Sequence, residues 1–243
     1  MNLQDFLIKR KSLLLQAPQY RVLCANCSQP TFSCFCAQIQ SFDPEISFVI
    51  LIHPIEVKRR IATGRMSHLC LKGSYLIKGQ DYTENCTVNE LIADSNYHSV
   101  ILYPGINSKN ISPLTVQERA GLFPKTKKLR LFIIDGTWAT ARKMIRQSQN
   151  LKNLPRICFS PTTPSNFRVR KQPHSACYST IEAIHHTIEL IGETQDFNTA
   201  QRQHDNLLHV FNYMVENQLE FVRQANLNLR EASYRREGQI KSA

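Results

Sequence analysis

Three short apolar runs divide the chain, at 47–52 (SFVILI), 99–103 (SVILY) and 129–134 (LRLFII). Runs of this length without regular polar alternation are the pattern of strands covered on both faces, as in a parallel sheet. Each passes straight into turn chemistry, at His53-Pro54, Pro104-Gly105 and Asp135-Gly136. Loops at the carboxyl ends of parallel strands are where α/β proteins hold ligands. A weaker fourth strand is expected over 154–159 (LPRICF). Between the strands the period changes to that of helices. Residues 56–71 read as one helix, or as a helix broken at Thr63-Gly64, and Thr137 can cap a helix whose Trp138, Ala141 and Ile145 share a face. Ser179 with Glu182 three residues later makes a capping box, followed by an inward stripe of Ile181, Ile184, Ile188 and Ile191. Leu208, Phe211, Val215, Leu219 and Val222 repeat the stripe, so a long amphipathic helix should close the fold. Residues 1–41 read as a leader helix and a cysteine-rich segment, 160–179 as a long polar and basic loop, and 230–243 as a basic tail. The fold class expected is therefore α/β, a parallel sheet with flanking helices over 42–243, carrying a small appendage at 1–41.

The 243 residues are 42% hydrophobic and 20% charged, an ordinary globular balance. No run approaches the roughly 18 apolar residues of a membrane span, and 1–11 is too polar for a secretory signal. Of eight cysteines, four fall within 24–36 and the rest are scattered, unlike a secreted disulfide framework. A soluble protein in the reducing cytoplasm is the expectation. The net charge of +11 is unevenly placed: thirteen Lys and Arg lie between Glu118 and Glu182, where the single acid is Asp135. Such an excess either attracts phosphate, with release of condensed counterions, or merely solubilises the surface. Its clustering favours nucleic acid over membrane, since no basic amphipathic helix accompanies it.

Cys24, Cys27, Cys34 and Cys36 place four soft ligands in one turn-rich segment, a C-x2-C followed by C-x-C. Zinc prefers that set, and four thiolates leave no position for water, which makes the metal structural. Asp135, at a strand end beside a glycine and a helix N-terminus, can accept donors from a ligand or simply cap the helix, and Trp138 can stack or pack. Arg168, Arg170 and Lys171, next to Phe167, could grip phosphate and a base, or form a solvated charge run. His185 and His186, one turn from Glu182, read as a surface pair rather than as a second metal site.

Taken in order, Cys24-x2-Cys27-x6-Cys34-x-Cys36, His53-Pro54 with Glu56, Thr63-Gly64-Arg65, Tyr103-Pro104-Gly105, Asp135-Gly136-Thr137-Trp138 and 168–171 through 179–183 resemble the DTW-domain family over residues 21–191. That family includes tRNA-uridine aminocarboxypropyltransferases. The resemblance implies S-adenosylmethionine as co-substrate, transfer of its 3-amino-3-carboxypropyl group to N3 of a uridine in tRNA, and release of methylthioadenosine. It also implies a SPOUT-like fold, in which cofactor loops of the C-terminal half can be tucked through a trefoil knot. Neither periodicity nor composition shows a knot. On this resemblance Asp135 is the catalytic carboxylate, taking or orienting the N3 proton, although neighbouring cations would be expected to weaken it as a base. Cofactor contacts fall to Thr63, Tyr103, Pro104, Gly105, Asp135, Thr137, Trp138, Ser179, Thr180 and Glu182. RNA phosphates fall to Arg59, Arg60, Arg65, Arg142, Arg168, Arg170 and Lys171, with zinc on Cys24, Cys27, Cys34 and Cys36. The partner is tRNA, through its variable loop if the short chain follows the bacterial form, with neither DNA nor membrane expected and a homo-oligomer open. Two other readings stay open: a SPOUT-like RNA methyltransferase, and a zinc-dependent RNA-binding module without catalysis.

Overall fold

A computed structural model of the chain describes residues 22–59, 61–170 and 177–224, together with Gln4, Asp5 and Leu7. Most of the expected leader helix, the tail from Arg230, Arg60 and Lys171 lie outside the described residues. In chain order the elements are β1 (Ser47–Ile52), α1 (Pro54–Val57), α2 (Thr63–Cys70), β2 (Tyr75–Lys78), α3 (Cys86–Ala93), β3 (Tyr97–Leu102) and β4 (Lys109–Asn110). There follow α4 (Val116–Ala120), β5 (Lys128–Asp135), α5 (Trp138–Gln147), α6 (Gln149–Lys152), β6 (Arg156–Cys158), α7 (Thr180–Ile191) and α8 (Asp205–Gln224).

The strands form one six-stranded sheet in the order β2-β1-β5-β3-β6-β4, and every pairing is parallel. Strand β5 lies between β1 and β3, with Ile52 opposite Asp135 and Leu102 opposite Ile133. The alternation along these strands divides two cores. Phe48, Ile50, Leu129, Leu131 and Ile133 pack with Met66 of α2, the isoleucines of α7 and Phe211 of α8. Val49, Leu51, Ile101 and Phe132 face Val88 and Leu91 of α3 and Met144 and Ile145 of α5. Three apolar runs long enough to be covered on both faces thus produce three layers, helix on sheet on helix.

The helix expected over 56–71 is two helices. His53 ends β1 and caps α1, its Nδ1 accepting from the Ile55 N–H at 3.2 Å, with Pro54 in the first turn where its missing N–H costs nothing. Thr63-Gly64 then begins α2 rather than interrupting a single helix. On α8 the inward stripe is Leu207, Val210, Phe211, Met214, Val215 and Leu219, while Leu208 and Val222 are only half-buried, so the helix is rotated slightly from the expected face. Both edge strands, β2 and β4, and the short helix α3 escape the sequence pattern. An edge strand is only half covered and needs no continuous apolar run, and two to four residues are too few to show a period.

A cation is buried in the sheet. Arg130 is 2% exposed, donates to the Leu91 carbonyl at 2.6 Å, pairs with Asp94 at 3.3 Å and lies over the Tyr97 ring at 3.6 Å. It is one of the thirteen cations of the basic stretch and faces no solvent. Among the described residues no helix is long and apolar enough to cross a membrane.

Candidate functional site

Because every strand is parallel, all carboxyl ends open on one edge, and β5 delivers Asp135 to its middle. Asp135 is 4% exposed. Its Oδ1 accepts a 2.5 Å hydrogen bond from the Thr180 hydroxyl at the first turn of α7, and its Oδ2 has no hydrogen-bond partner among the described residues. On that side the carboxylate rests against the start of α2: a Cβ on Gly64 would come within 2.5 Å of Oδ2. The glycine at position 64 is therefore a requirement of contact with Asp135. Burial pushes the Asp135 carboxyl up to about 6, against the Thr180 hydroxyl and the nearby Gly64 amide, which favour the charge. The neighbouring Glu56 raises it further and Arg170 lowers it. The expectation that cations would depress this acid is thus corrected, because desolvation outweighs a guanidinium already bound to Glu56.

That binding is bidentate. Arg170 places its two terminal nitrogens 2.9 and 3.2 Å from the Glu56 oxygens, and Glu56, 2% exposed, also faces Arg59 at 3.4 Å. The sequence motif that paired His53-Pro54 with Glu56 gave no sign of this long-range partner, 114 residues away. Glu182 is also enclosed. It accepts from the Ser179 N–H at 2.8 Å, the Ser179 hydroxyl at 2.6 Å, the Ser165 hydroxyl at 2.7 Å and the Asn166 N–H at 2.8 Å. It completes the capping box and fixes the 165–166 turn upon α7.

Thr137 caps α5 by accepting from the Thr140 N–H at 3.2 Å, and Gly136 is needed there, since a Cβ would lie 2.6 Å from the Thr140 hydroxyl. Trp138, 40% exposed, offers a free aromatic surface one residue on. Tyr103, at the end of β3, is half-buried, which raises its phenol, while Arg142 and Arg156 are close enough to oppose that. Pro104 and Gly105 follow in an open turn closed by the Ser108 hydroxyl on the Tyr103 carbonyl at 2.6 Å. Thr63, Asp135, Ser179, Thr180 and Glu182 are thus brought together with Gly64, Glu56 and Arg170, while Tyr103 to Gly105 and Thr137-Trp138 flank them along the same edge. Neither a cavity of about 580 Å³ beside 40–45 nor one of about 380 Å³ between α7 and α8 is lined by Asp135.

The proposed phosphate contacts separate by environment. Arg65 donates to the carbonyls of Val57 and Cys27, tying α2 to the cysteine segment. Arg168 pairs with Glu216 of α8. Arg142, with Lys143 and Arg146 on the outer face of α5, is exposed and in no ion pair among the described residues. Arg119, also in the basic stretch, is half-buried and tied to backbone, donating to the carbonyls of Ile111, Ser112 and Leu190 at 2.9 to 3.1 Å.

The four clustered cysteines converge. Cys24 Sγ lies 3.6 Å from Cys36 Sγ and Cys27 Sγ 3.6 Å from Cys34 Sγ, with all four sulfurs within 4.8 Å of one another. Sulfurs at tetrahedral zinc, with bonds of about 2.3 Å, stand about 3.8 Å apart, so the set fits the ion. Backbone N–H groups of Cys27 and Asn26 hold the Cys24 thiol down to about 6, while burial pushes Cys27 and Cys36 up. The turn is closed by Ser28 N–H to Cys24 carbonyl at 2.9 Å, with Ser28 itself left-handed at φ 59°. None of the eight cysteines is in a disulfide.

A family model described as the DTW domain matches residues 21–219. The chain is similar to a tRNA-uridine aminocarboxypropyltransferase 2 of Drosophila melanogaster, 32% identical over 172 residues that are 68% of this chain and 64% of the relative. It is also similar to proteins of the same description from Macaca fascicularis and Mus musculus, each 25% identical over 174 residues, 70% of this chain and 56% of the relative. The chain thus matches less than two thirds of the length of these relatives. No solved structure matches it.

Proposed function

The chain belongs to the DTW-domain family, and from that premise we propose that it transfers the 3-amino-3-carboxypropyl group of S-adenosylmethionine to N3 of a tRNA uridine, releasing methylthioadenosine. The observation that carries the reading is Asp135, a buried carboxyl held on one oxygen by Thr180, unpartnered on the other and pushed up to about 6. Uracil N3 keeps its proton at neutral pH, so attack through N3 needs an acceptor for it. A carboxylate whose proton affinity has been raised toward the working pH is better suited to that task than one in the ordinary range. The sulfonium activates three carbons, and only alignment decides which is attacked. Thr63, Ser179 and Thr180 beside Asp135, and Tyr103 to Gly105 with Thr137 and Trp138 along the same edge, are the groups we assign to holding the co-substrate and the base. Glu182 acts by fixing the start of α7, and with it the Thr180 hydroxyl. Zinc on Cys24, Cys27, Cys34 and Cys36 keeps the N-terminal knuckle folded.

The wider reading is that of a tRNA-binding cytoplasmic enzyme, SPOUT-like in its relationships, with a knuckle over 1–41 that helps dock the tRNA to a catalytic unit over 42–243. Arg59, Arg60, Arg65, Arg142, Arg168, Arg170 and Lys171 remain the proposed phosphate contacts, of which Arg59, Arg142 and Arg168 are exposed and Arg65 and Arg170 half-buried. The variable loop remains the proposed target. Purified protein incubated with unmodified tRNA and S-adenosylmethionine should yield methylthioadenosine. S-Adenosylhomocysteine in its place would mean methyl transfer, and tRNA binding with neither coproduct would leave a binding module.

A further inference from the structure

The last two helices bring together four side chains that the proposed reaction does not use. His185 and Glu189 are one turn apart on α7, and they meet His204 and Asp205 at the beginning of α8. His185 was expected at the surface, yet it is 9% exposed, and His204 is 0% exposed. Their rings stack with centroids 4.9 Å apart, which fixes both imidazoles.

Four ligand atoms close a ring in which nitrogen and oxygen alternate. His185 Nε2 is 2.8 Å from Asp205 Oδ1 and 3.9 Å from Glu189 Oε1. His204 Nε2 is 2.9 Å from Glu189 Oε1 and 3.9 Å from Asp205 Oδ1. Around a tetrahedral ion with bonds of about 2.0–2.1 Å, ligand atoms stand about 3.3 Å apart. To reach that arrangement two of these edges must open and two must close by about half an ångström, and the two diagonal separations, each within 4.8 Å, must come to the same value. His185 and Glu189 also line the cavity of about 380 Å³ between the 162–166 segment, α7 and α8, which gives an ion a path inward.

A cation already sits on the outer side. Arg202 places guanidinium nitrogens 2.6 Å from Glu189 Oε1 and 2.6 Å from Asp205 Oδ1, the same oxygens that would ligate a metal. Its side chain is 50% exposed, so it can withdraw without breaking the core. We propose that His185, Glu189, His204 and Asp205 form a second metal site, for a divalent transition ion of the zinc class, and that Arg202 is the counter-cation the metal displaces. Imidazole with carboxylate is a donor set for such ions, distinct from the four-sulfur set at the knuckle. Four protein ligands leave no open position, so the ion fastens the start of α8 to the middle of α7.

The test uses the full chain produced in cobalt-supplemented medium, read by metal content and absorption. A thiolate site gives intense sulfur-to-cobalt charge-transfer bands, whereas a nitrogen and oxygen site gives d–d bands alone. Two equivalents per chain are expected, falling to one with the sulfur bands intact in Asp205→Asn and in His185→Gln, with circular dichroism confirming the fold of each. Asp205→Asn keeps the shape of a half-exposed residue and guards against a folding failure in the histidine variant. A single equivalent with sulfur bands in the wild type, or a second equivalent persisting in both variants, overturns the proposal. A single equivalent without sulfur bands supports this site and removes the cysteine one. Arg202→Gln should tighten zinc at this site by a factor on the order of ten, because a competing charge is gone; unchanged or weaker affinity there sinks the displacement.

Discussion

Asp135 couples the stability of the fold to the chemistry proposed for it. Its folded value of about 6 lies above the ordinary 3.8, so folding favours the protonated form. That contribution is fully present below about pH 4 and is lost as the pH rises through 6, leaving a buried charge that opposes folding at neutral pH. Asp135→Asn preserves an acceptor for Thr180 and removes the charge. It should raise the unfolding free energy at pH 7.5, by at most about 3 kcal/mol at roughly 1.4 kcal/mol per pKa unit, with no gain at pH 4. Denaturant unfolding at the two pH values checks it, and equal gains at both would discount the buried charge. The same variant should lose methylthioadenosine release by a factor of about 100 or more, while wild-type turnover climbs through pH 6.

The elements matter here chiefly through where they begin. Helix α2 begins at Thr63 so that the backbone of Gly64 can lie against the Asp135 carboxylate, and α7 begins at Thr180 so that its hydroxyl can hold the other oxygen. Gly64→Ala would force a Cβ to 2.5 Å from Oδ2. We expect it to cost about 1–3 kcal/mol of stability and to lower turnover more than tRNA affinity. Affinity and turnover falling together would argue that α2 serves RNA docking instead. The capping box of α7 and the uninterrupted strand pattern of β1 were both legible in the sequence, since each is a local relation among neighbours. Strand β2 and helix α3 were not legible, since an exposed edge and a single inward turn leave little periodic signal.

At the scale of the molecule, the basic stretch resolves into different kinds of charge. Arg130, buried, and Arg119, half-buried, serve backbone carbonyls, Arg170 serves Glu56, and Arg142 stands exposed on α5. Arg142→Ala should weaken tRNA binding and reduce the slope of log K against log salt by about one, whereas Arg119→Ala should lower thermal stability and leave the slope alone. Filter binding across a salt series separates them. The knuckle is part of the same economy of packing: Cys27 and Phe35, each 1% exposed, belong to the core that holds α7 and α8. Cys27→Ser, or a strong chelator, should therefore lower the melting temperature of the whole chain in one transition. A chain that melts as before would show that the cysteine segment folds without metal.

The sequence by itself determined the strands β1, β3 and β5, the caps of α5 and α7, the four-sulfur cluster and the place of Asp135 at a strand end. Each of these is encoded by residues within about a dozen positions of one another, where period, turn chemistry and ligand spacing act directly. Only the tertiary structure decided the proton affinity of Asp135, the pairing of Glu56 with Arg170, the enclosure of Glu182 and the meeting of His185 with His204. Those depend on desolvation and on partners 16 to 114 residues away. Burial and long-range charge are properties of the packed chain, and no local pattern of residue types fixes them.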